Sequence, residues 1–160
     1  MPLEDLPHVD EHSVVVEAPP EAVWRAALKV MHGTFGTGPS PAVARLLGCQ
    51  PSSTSGWDRP GVGATVPGFR IVEAQPPRLL AVAGRHRFSR YGIVIRIEPH
   101  GRDSRLRLET RATFPGAHGA AYRLAVLGTR LHVLVTRRML GQIARAAERA
   151  VADHKPADGG

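Results

Sequence analysis

Aromatic residues, cysteine and lysine are all scarce in this chain of 160 residues. Aromatic side chains make up 5% of it, so a cavity inside the fold is expected to have mostly aliphatic walls with a few rings. The single cysteine, Cys49, excludes an internal disulfide framework and favours a cytoplasmic location. No apolar run has the length of a membrane span, so stable insertion into a membrane is not expected.

Negative charge is also in deficit, because 21 basic residues face 14 acidic ones and the net charge is +7. Such an excess is compatible with a nucleic-acid or anionic membrane partner. However, the arginines are spread over the whole chain, and no basic run carries the interleaved aromatics that stack on bases. Nucleic acid is therefore not the expected partner, although an interaction role for the arginine-rich surface stays open as an alternative. Nothing in the sequence sets an oligomeric state.

A two-residue period between Ala64 and Phe114 predicts a run of antiparallel strands. In the clearest of them Leu106, Leu108 and Thr110 share one face, and arginines occupy the other. The apolar face must be covered by helices, which predicts the α+β class. The predicted strands are His12–Ala18, Thr65–Ala74, Arg78–Arg85, Ser89–Glu98 and Ser104–Phe114.

Helical spacing of apolar residues predicts three helices, at Pro20–His32, at Pro41–Leu47 and from about Ala117 to Ala152. The last helix carries two apolar stripes that are rotated by roughly 100° from each other, so it should bend or break between Gly128 and Arg138. We expect it to clamp against a curved sheet and to leave a cavity there. The predicted organisation is a flexible leader (1–11), a single domain (12–152) and a disordered tail (153–160).

The opening of the predicted domain is a strand that ends in Ala-Pro, followed by a helix that bears Val-Trp (12–24, HSVVVEAPPEAVW). This segment resembles the START-like superfamily, also called SRPBCC or the polyketide cyclase/dehydrase and lipid-transport superfamily. Residues 80–90, 105–116 and 122–130 resemble its small bacterial members. The resemblance implies a helix-grip fold, in which a curved antiparallel sheet of six to seven strands wraps around a long C-terminal helix. Two short helices then follow strand 1.

The resemblance also implies a tunnel between the sheet and the long helix. Members of the superfamily bind lipids, sterols, polyketides or plant hormones, and some catalyse cyclisation or dehydration. Binding of a small hydrophobic ligand is therefore the expected function. A polyketide cyclase or dehydratase that uses a cavity histidine or tyrosine for proton transfer is the alternative.

Candidate ligand-binding residues are those that would line such a cavity, and plain core packing is the competing interpretation for each apolar one. Proton transfer would require a titratable side chain there, for which His86, Tyr91, Tyr122 and His132 are the candidates. No residue is assigned a catalytic role. The candidate ligand-binding residues are Trp24, Phe69, Tyr91, Ile93, Thr110, Phe114, Tyr122, Leu131 and His132.

Other chemistry finds little support in the sequence, and neither a metal nor a cofactor is expected. Cys49 has no cysteine partner at metal-binding spacing, and no Gly-x-Ser-x-Gly elbow is present. The glycines of segment 33–38 lack the Lys-Ser/Thr pair of a phosphate loop, so this segment is interpreted as a linker. Arg96 and Arg111 could clamp a carboxylate, but pairing with Glu109 on the outer sheet is the favoured interpretation.

Overall fold

The computed structural model describes residues 3–36, 45–46, 48–128 and 130–154. Six antiparallel strands form one sheet in the order β1-β6-β5-β4-β3-β2. This confirms the predicted α+β class. The strands are β1 (His8–Val16), β2 (Thr65–Val66), β3 (Phe69–Gln75), β4 (Leu79–His86), β5 (Ser89–His100) and β6 (Asp103–Thr113), and the helices are α1 (Pro20–Met31), α2 (Gly116–Gly128) and α3 (Leu131–His154).

The largest differences from the predicted strands are at the start of β1 and within the predicted strand Thr65–Ala74. β1 begins at His8 rather than His12, because the polar residues ahead of the valine run also pair with β6. Residues 3–11 of the predicted leader thus contain a 3-10 turn at Leu3–Asp5 and the start of β1, with Leu6 buried between them at 5% exposure. The predicted strand Thr65–Ala74 is two strands, because Gly68 has a φ of 85° and turns the chain between β2 and β3.

The helices follow the sequence pattern closely. α1 starts at Pro20 as predicted, since proline lacks only an N–H that the first turn leaves unpaired. The predicted second helix, Pro41–Leu47, lies outside the described residues except for 45–46, which are helical. The predicted break in the C-terminal helix is confirmed, because α2 and α3 are separate and Arg130 between them has a φ of 55°.

The core lies between the concave face of the sheet and the paired helices α1 and α3. Cross-strand pairing places Val82, Ile93, Thr110 and Asp10 in one row across β4, β5, β6 and β1. The neighbouring row contains Leu80, Ile95, Leu108 and His12. Aliphatic side chains from both layers are fully buried here, among them Val23, Met31, Ile95, Leu106, Leu108, Met139 and Ile143.

The outer face of the sheet is held by an ionic cluster. Arg96 Nη1 and Arg111 Nε each donate a hydrogen bond of 2.7 Å to the carboxylate of Glu109, whose side chain is 6% exposed. Burial alone would raise the pKa of this carboxyl, but the bond from Arg96 and the charge of Arg111 outweigh it and lower the pKa. Arg111 also donates to the carbonyls of Glu4 and Leu6, which fixes the N-terminal turn on this face.

Candidate functional site

Seven rings form a continuous series at one end of the concave face. Phe35, Phe69, Tyr91, His86 and Tyr122 follow one another with successive ring centroids 4.6, 5.1, 5.5 and 4.8 Å apart. Phe88 and Phe114 each pack against Tyr122, at 5.9 and 6.2 Å. We call these seven residues the aromatic series. Separations of this size are typical of interacting aromatic side chains.

A glycine in β4 allows the series to assemble. Gly84 pairs with Tyr91 across the sheet, and a Cβ on Gly84 would lie 1.7 Å from the carbonyl oxygen of Gly68. Only a residue without a side chain therefore lets the turn between β2 and β3 lie against β4. The same turn lies close to Tyr91, because a Cβ placed on Gly68 would be only 3.1 Å from the Tyr91 hydroxyl oxygen. The close backbone approach thereby defines the wall next to Tyr91.

Most of the aromatic series is only half-buried, with Phe69 as the buried exception. The covering element is α2, which contributes Tyr122 to the series and lays Gly119 against Phe114 and Phe88. Its Leu124 is 75% exposed, so most of this apolar side chain faces water. Most of the described side chains of α2 are exposed, and a segment with few packed side chains is expected to open at low free-energy cost. We therefore expect α2 to be a weakly held cover over the rings.

His86 is held in one orientation by two hydrogen bonds. The Phe88 backbone N–H donates to His86 Nδ1 over 3.1 Å, and His86 Nε2 lies 3.0 Å from the Ser89 hydroxyl. Because Nδ1 accepts, the neutral ring carries its hydrogen on Nε2 and donates it to Ser89. Burial lowers the pKa of His86 from its ordinary value of 6.5, so the ring is uncharged at neutral pH.

The other titratable groups at the site are uncharged as well. Burial raises the pKa of Tyr91 far above its ordinary value, with smaller contributions from Cys49 and Tyr122. Burial and the nearby Cys49 raise the pKa of Tyr122 too, and burial raises the pKa of the Cys49 thiol. At neutral pH this end of the concave face therefore presents hydroxyl, thiol and imidazole groups without net charge.

A polar group lies farther along the same face, at the start of α3. Asp10 Oδ2 lies 3.1 Å from His12 Nε2 and 3.2 Å from His132 Nε2, while Asp10 Oδ1 is buried without a hydrogen-bond partner among the described residues. The side chains of Asp10 and His132 are 17% and 16% exposed. Two strand spacings separate Asp10 from Ile93, which is about 10 Å.

A pocket of about 670 Å³ lies on the outer side of the sheet, next to Tyr91 and Gly84. Two cross-strand pairs line it, Arg70 with Ala83 and Arg85 with Arg90, on the face opposite to the buried Ile71 and Val82. The loop at Gln50–Ser52 forms another wall, because Gln50 pairs with Arg85 and the Pro51 carbonyl accepts from Gly68 N. Since three arginines line this pocket, it is distinct from the uncharged aromatic series.

The structure distributes the predicted site residues over four places. Phe69, Tyr91, Phe114 and Tyr122 belong to the aromatic series, and Ile93 and Thr110 pair with each other in the row beside it. His132 contacts Asp10 instead. Trp24 is buried in the core on α1, and the side chain of Leu131 lies outside the described residues.

Sequence reasoning missed several residues that belong here. Phe35, Phe88 and Cys49 reach the site from connections between elements, and Asp10 was assigned to the leader. His86 had been noted as a proton-transfer candidate but not as a ligand-binding residue. The alternation of β1, extended backwards from the valines, is the one signal that places Asp10 on the inner face together with His12. The outward pairing of Arg96 and Arg111 with Glu109 is confirmed.

Comparisons with known proteins establish the fold. The chain is similar to protein CV1439 from Chromobacterium violaceum, at a TM-score of 0.53 and 20% identity over 89% of this chain and 99% of that one. For Ara h 8.0201 the TM-score is 0.53 and the identity 14%, over 91% of this chain and 97% of that one. For Aha1 from Colwellia psychrerythraea the TM-score is 0.52 and the identity 15%, over 86% of this chain and 94% of that one. No protein-family model and no curated protein matches the chain. The fold is the START-like helix-grip fold.

Two further properties bear on the site. Among the described residues, no three His, Cys, Asp or Glu side chains come together in an arrangement that could hold a metal ion. None of the described helices combines the length and the apolar character needed to cross a lipid bilayer.

Proposed function

We propose that this protein binds a small, uncharged hydrophobic molecule in the cleft between the sheet and the C-terminal helices. The observation that carries the proposal is the half-buried aromatic series, whose titratable members are neutral at pH 7. Incompletely buried rings gain by contact with a ligand, because that contact removes apolar surface from water. A charged ligand would lose its hydration at such a wall without gaining a counter-charge.

The ring geometry favours a flat ligand over a flexible chain. Phe88 and Tyr122 are stacked at an interplanar angle of 27°, and Tyr122 meets His86 edge-on at 79°. The series thus contains both stacked and edge-on contacts, and a further ring could join it in either way. The hydroxyls of Tyr91 and Tyr122 add hydrogen-bond donors, which suits a molecule with a few carbonyl or hydroxyl groups.

Native mass spectrometry on protein purified without denaturation is the first test of ligand binding. We expect a stoichiometric apolar adduct, which solvent extraction then identifies, and a weaker adduct in Tyr122→Leu. Leu124→Ser on the same helix is the matched control and should retain the adduct, because the Leu124 side chain is 75% exposed and is not part of the aromatic series. An interior that carries no adduct and takes up no apolar compound from a diverse library would contradict the proposal.

A proton-transfer enzyme is the second candidate, and the Asp10–His132 pair favours it. A carboxylate beside an imidazole orients the ring and stabilises its protonated form during proton transfer. If the site is catalytic, incubation of the extracted ligand with wild-type protein should give a product that has lost water or gained a ring. His132→Gln and Asp10→Asn should bind the ligand equally well and leave it unchanged.

A further inference from the structure

A basic groove lies along α3, and none of the residues that line it belongs to the aromatic series. It runs between α3 and the end of α1 with its following turn, and it encloses about 610 Å³. Its rim carries four exposed cationic side chains, which are Lys29 on α1 and Arg138, Arg145 and Arg149 on α3. No ion pair of these four occurs within residues 3–36, 45–46, 48–128 and 130–154. Four uncompensated cations in one groove create a local positive potential.

The floor of the basic groove is apolar. Val30 and Ala146 are half-buried there, and Met139 is buried beneath them. At one end of the groove, Val135 is 45% exposed although it is aliphatic. An aliphatic floor with a cationic rim matches a partner that has one apolar face and acidic flanks.

The distance over which the arginines are spread determines what shape of partner can contact all of them. Arg138 and Arg149 are eleven positions apart on one helix, which corresponds to about 16 Å at 1.5 Å per residue. One carboxylate or phosphate head reaches only one or two of these cations, whereas a helix with repeated acids reaches all of them. None of the described residues that line the groove is an aromatic on which nucleobases could stack.

We propose that the basic groove binds an acidic amphipathic helix of a partner protein. The partner would lay its apolar stripe along Val30, Met139 and Ala146 and direct its carboxylates to the arginines, as in helix-in-groove recognition. The site lies apart from the aromatic series, so it does not depend on the ligand-binding proposal.

A designed peptide tests the groove on the full chain. The peptide is a capped helix of about 18 residues with leucines at helical spacing on one face and glutamates elsewhere, labelled for fluorescence anisotropy. We expect saturable binding that weakens with added salt. Arg138→Glu/Arg145→Glu should weaken it at least about tenfold, because two attractive contacts become repulsive. Arg102→Glu/Arg123→Glu makes the same charge change elsewhere on the surface and should weaken it less than about threefold.

Control ligands separate this partner from other polyanions. A scrambled peptide of the same composition and a lysine version should both bind much more weakly than the designed helix. Equal binding of the scrambled peptide, or equal affinity of the groove variant and wild type, would overturn the proposal. So would tight, Arg138-dependent binding of an oligonucleotide or of phosphatidylserine vesicles without binding of the peptide. Circular dichroism of each variant verifies that the exposed substitutions leave the fold intact.

Discussion

Replacement of Glu109 by glutamine should destabilise the protein more than its place on the outer sheet suggests. The carboxylate is 6% exposed and accepts bonds of 2.7 Å from both Arg96 and Arg111. An amide has a single oxygen, so one guanidinium would face an NH₂ group instead. A charge-assisted hydrogen bond contributes about 1.5–3 kcal/mol. Because Arg96 is 41% exposed and can be hydrated, we expect Glu109→Gln to lower the free energy of unfolding by about 2–3 kcal/mol. This is less than the loss expected when a fully buried ion pair is broken.

Thermal and urea unfolding measure the effect of Glu109→Gln. A loss of that size lowers Tm by roughly 5–10 °C in a domain of this length. Glu98→Gln is the matched control, since Glu98 is 48% exposed and lies 3.5 Å from Arg107, and it should cost less than about 0.5 kcal/mol.

The pH dependence gives Glu109→Gln a second readout. The folded state lowers the pKa of Glu109, so its stabilisation is complete above the ordinary glutamate pKa, about 4.3, and is lost as pH falls through the folded value. The difference between wild type and Glu109→Gln should therefore shrink in acid. A variant as stable as wild type at pH 7, or a difference that persists unchanged in acid, would refute the reasoning.

Three smaller predictions concern single contacts. Gly84→Ala should destabilise the protein by about 2–4 kcal/mol in urea unfolding because its Cβ would meet the Gly68 carbonyl. Gly33→Ala should be nearly neutral, because a Cβ there would meet no heavy atom of the described residues within 4 Å. Because the folded state lowers the pKa of His86, wild type should lose stability relative to His86→Gln as pH falls below about 6.5. A difference in free energy of unfolding between the two proteins that stays constant with pH would contradict this. Ser104→Ala should cost about 1–2 kcal/mol, because it leaves a buried backbone carbonyl without its 2.7 Å donor; an unchanged urea midpoint would count against this.

Periodicity in the sequence predicts most of the fold because the burial of the sheet and of α1 follows it directly. Leu106 and Leu108 are buried on the inner face as predicted, and α1 starts at Pro20. The break before α3 was also predictable, since two apolar stripes that point in different directions cannot share one straight helix. The positive φ of Arg130 at that break was not predictable, because it depends on how α2 is placed.

The site was less predictable because it is assembled from distant segments. The Asp10–His132 contact joins β1 to α3, and its two residues carry no shared local pattern. Phe88 and Cys49 lie in connections, where periodicity gives no information on direction. The hydrogen bonds that fix the tautomer of His86 depend on the hairpin between β4 and β5. Sequence reasoning therefore named four of the seven rings as ligand-binding candidates and His86 as a proton-transfer candidate, and it missed Phe35 and Phe88.

Titration with a neutral planar fluorophore such as Nile red tests the central claim most directly. Nile red reports on apolar surface, and substitutions in the aromatic series distinguish binding there from binding to the apolar floor of the basic groove. We predict saturable one-to-one binding that Tyr122→Leu and Phe114→Leu each weaken about tenfold, while Leu124→Ser leaves it unchanged. Absence of saturable binding, or weakening by Leu124→Ser instead of Tyr122→Leu, would show that the half-buried rings are ordinary core packing and not a ligand site.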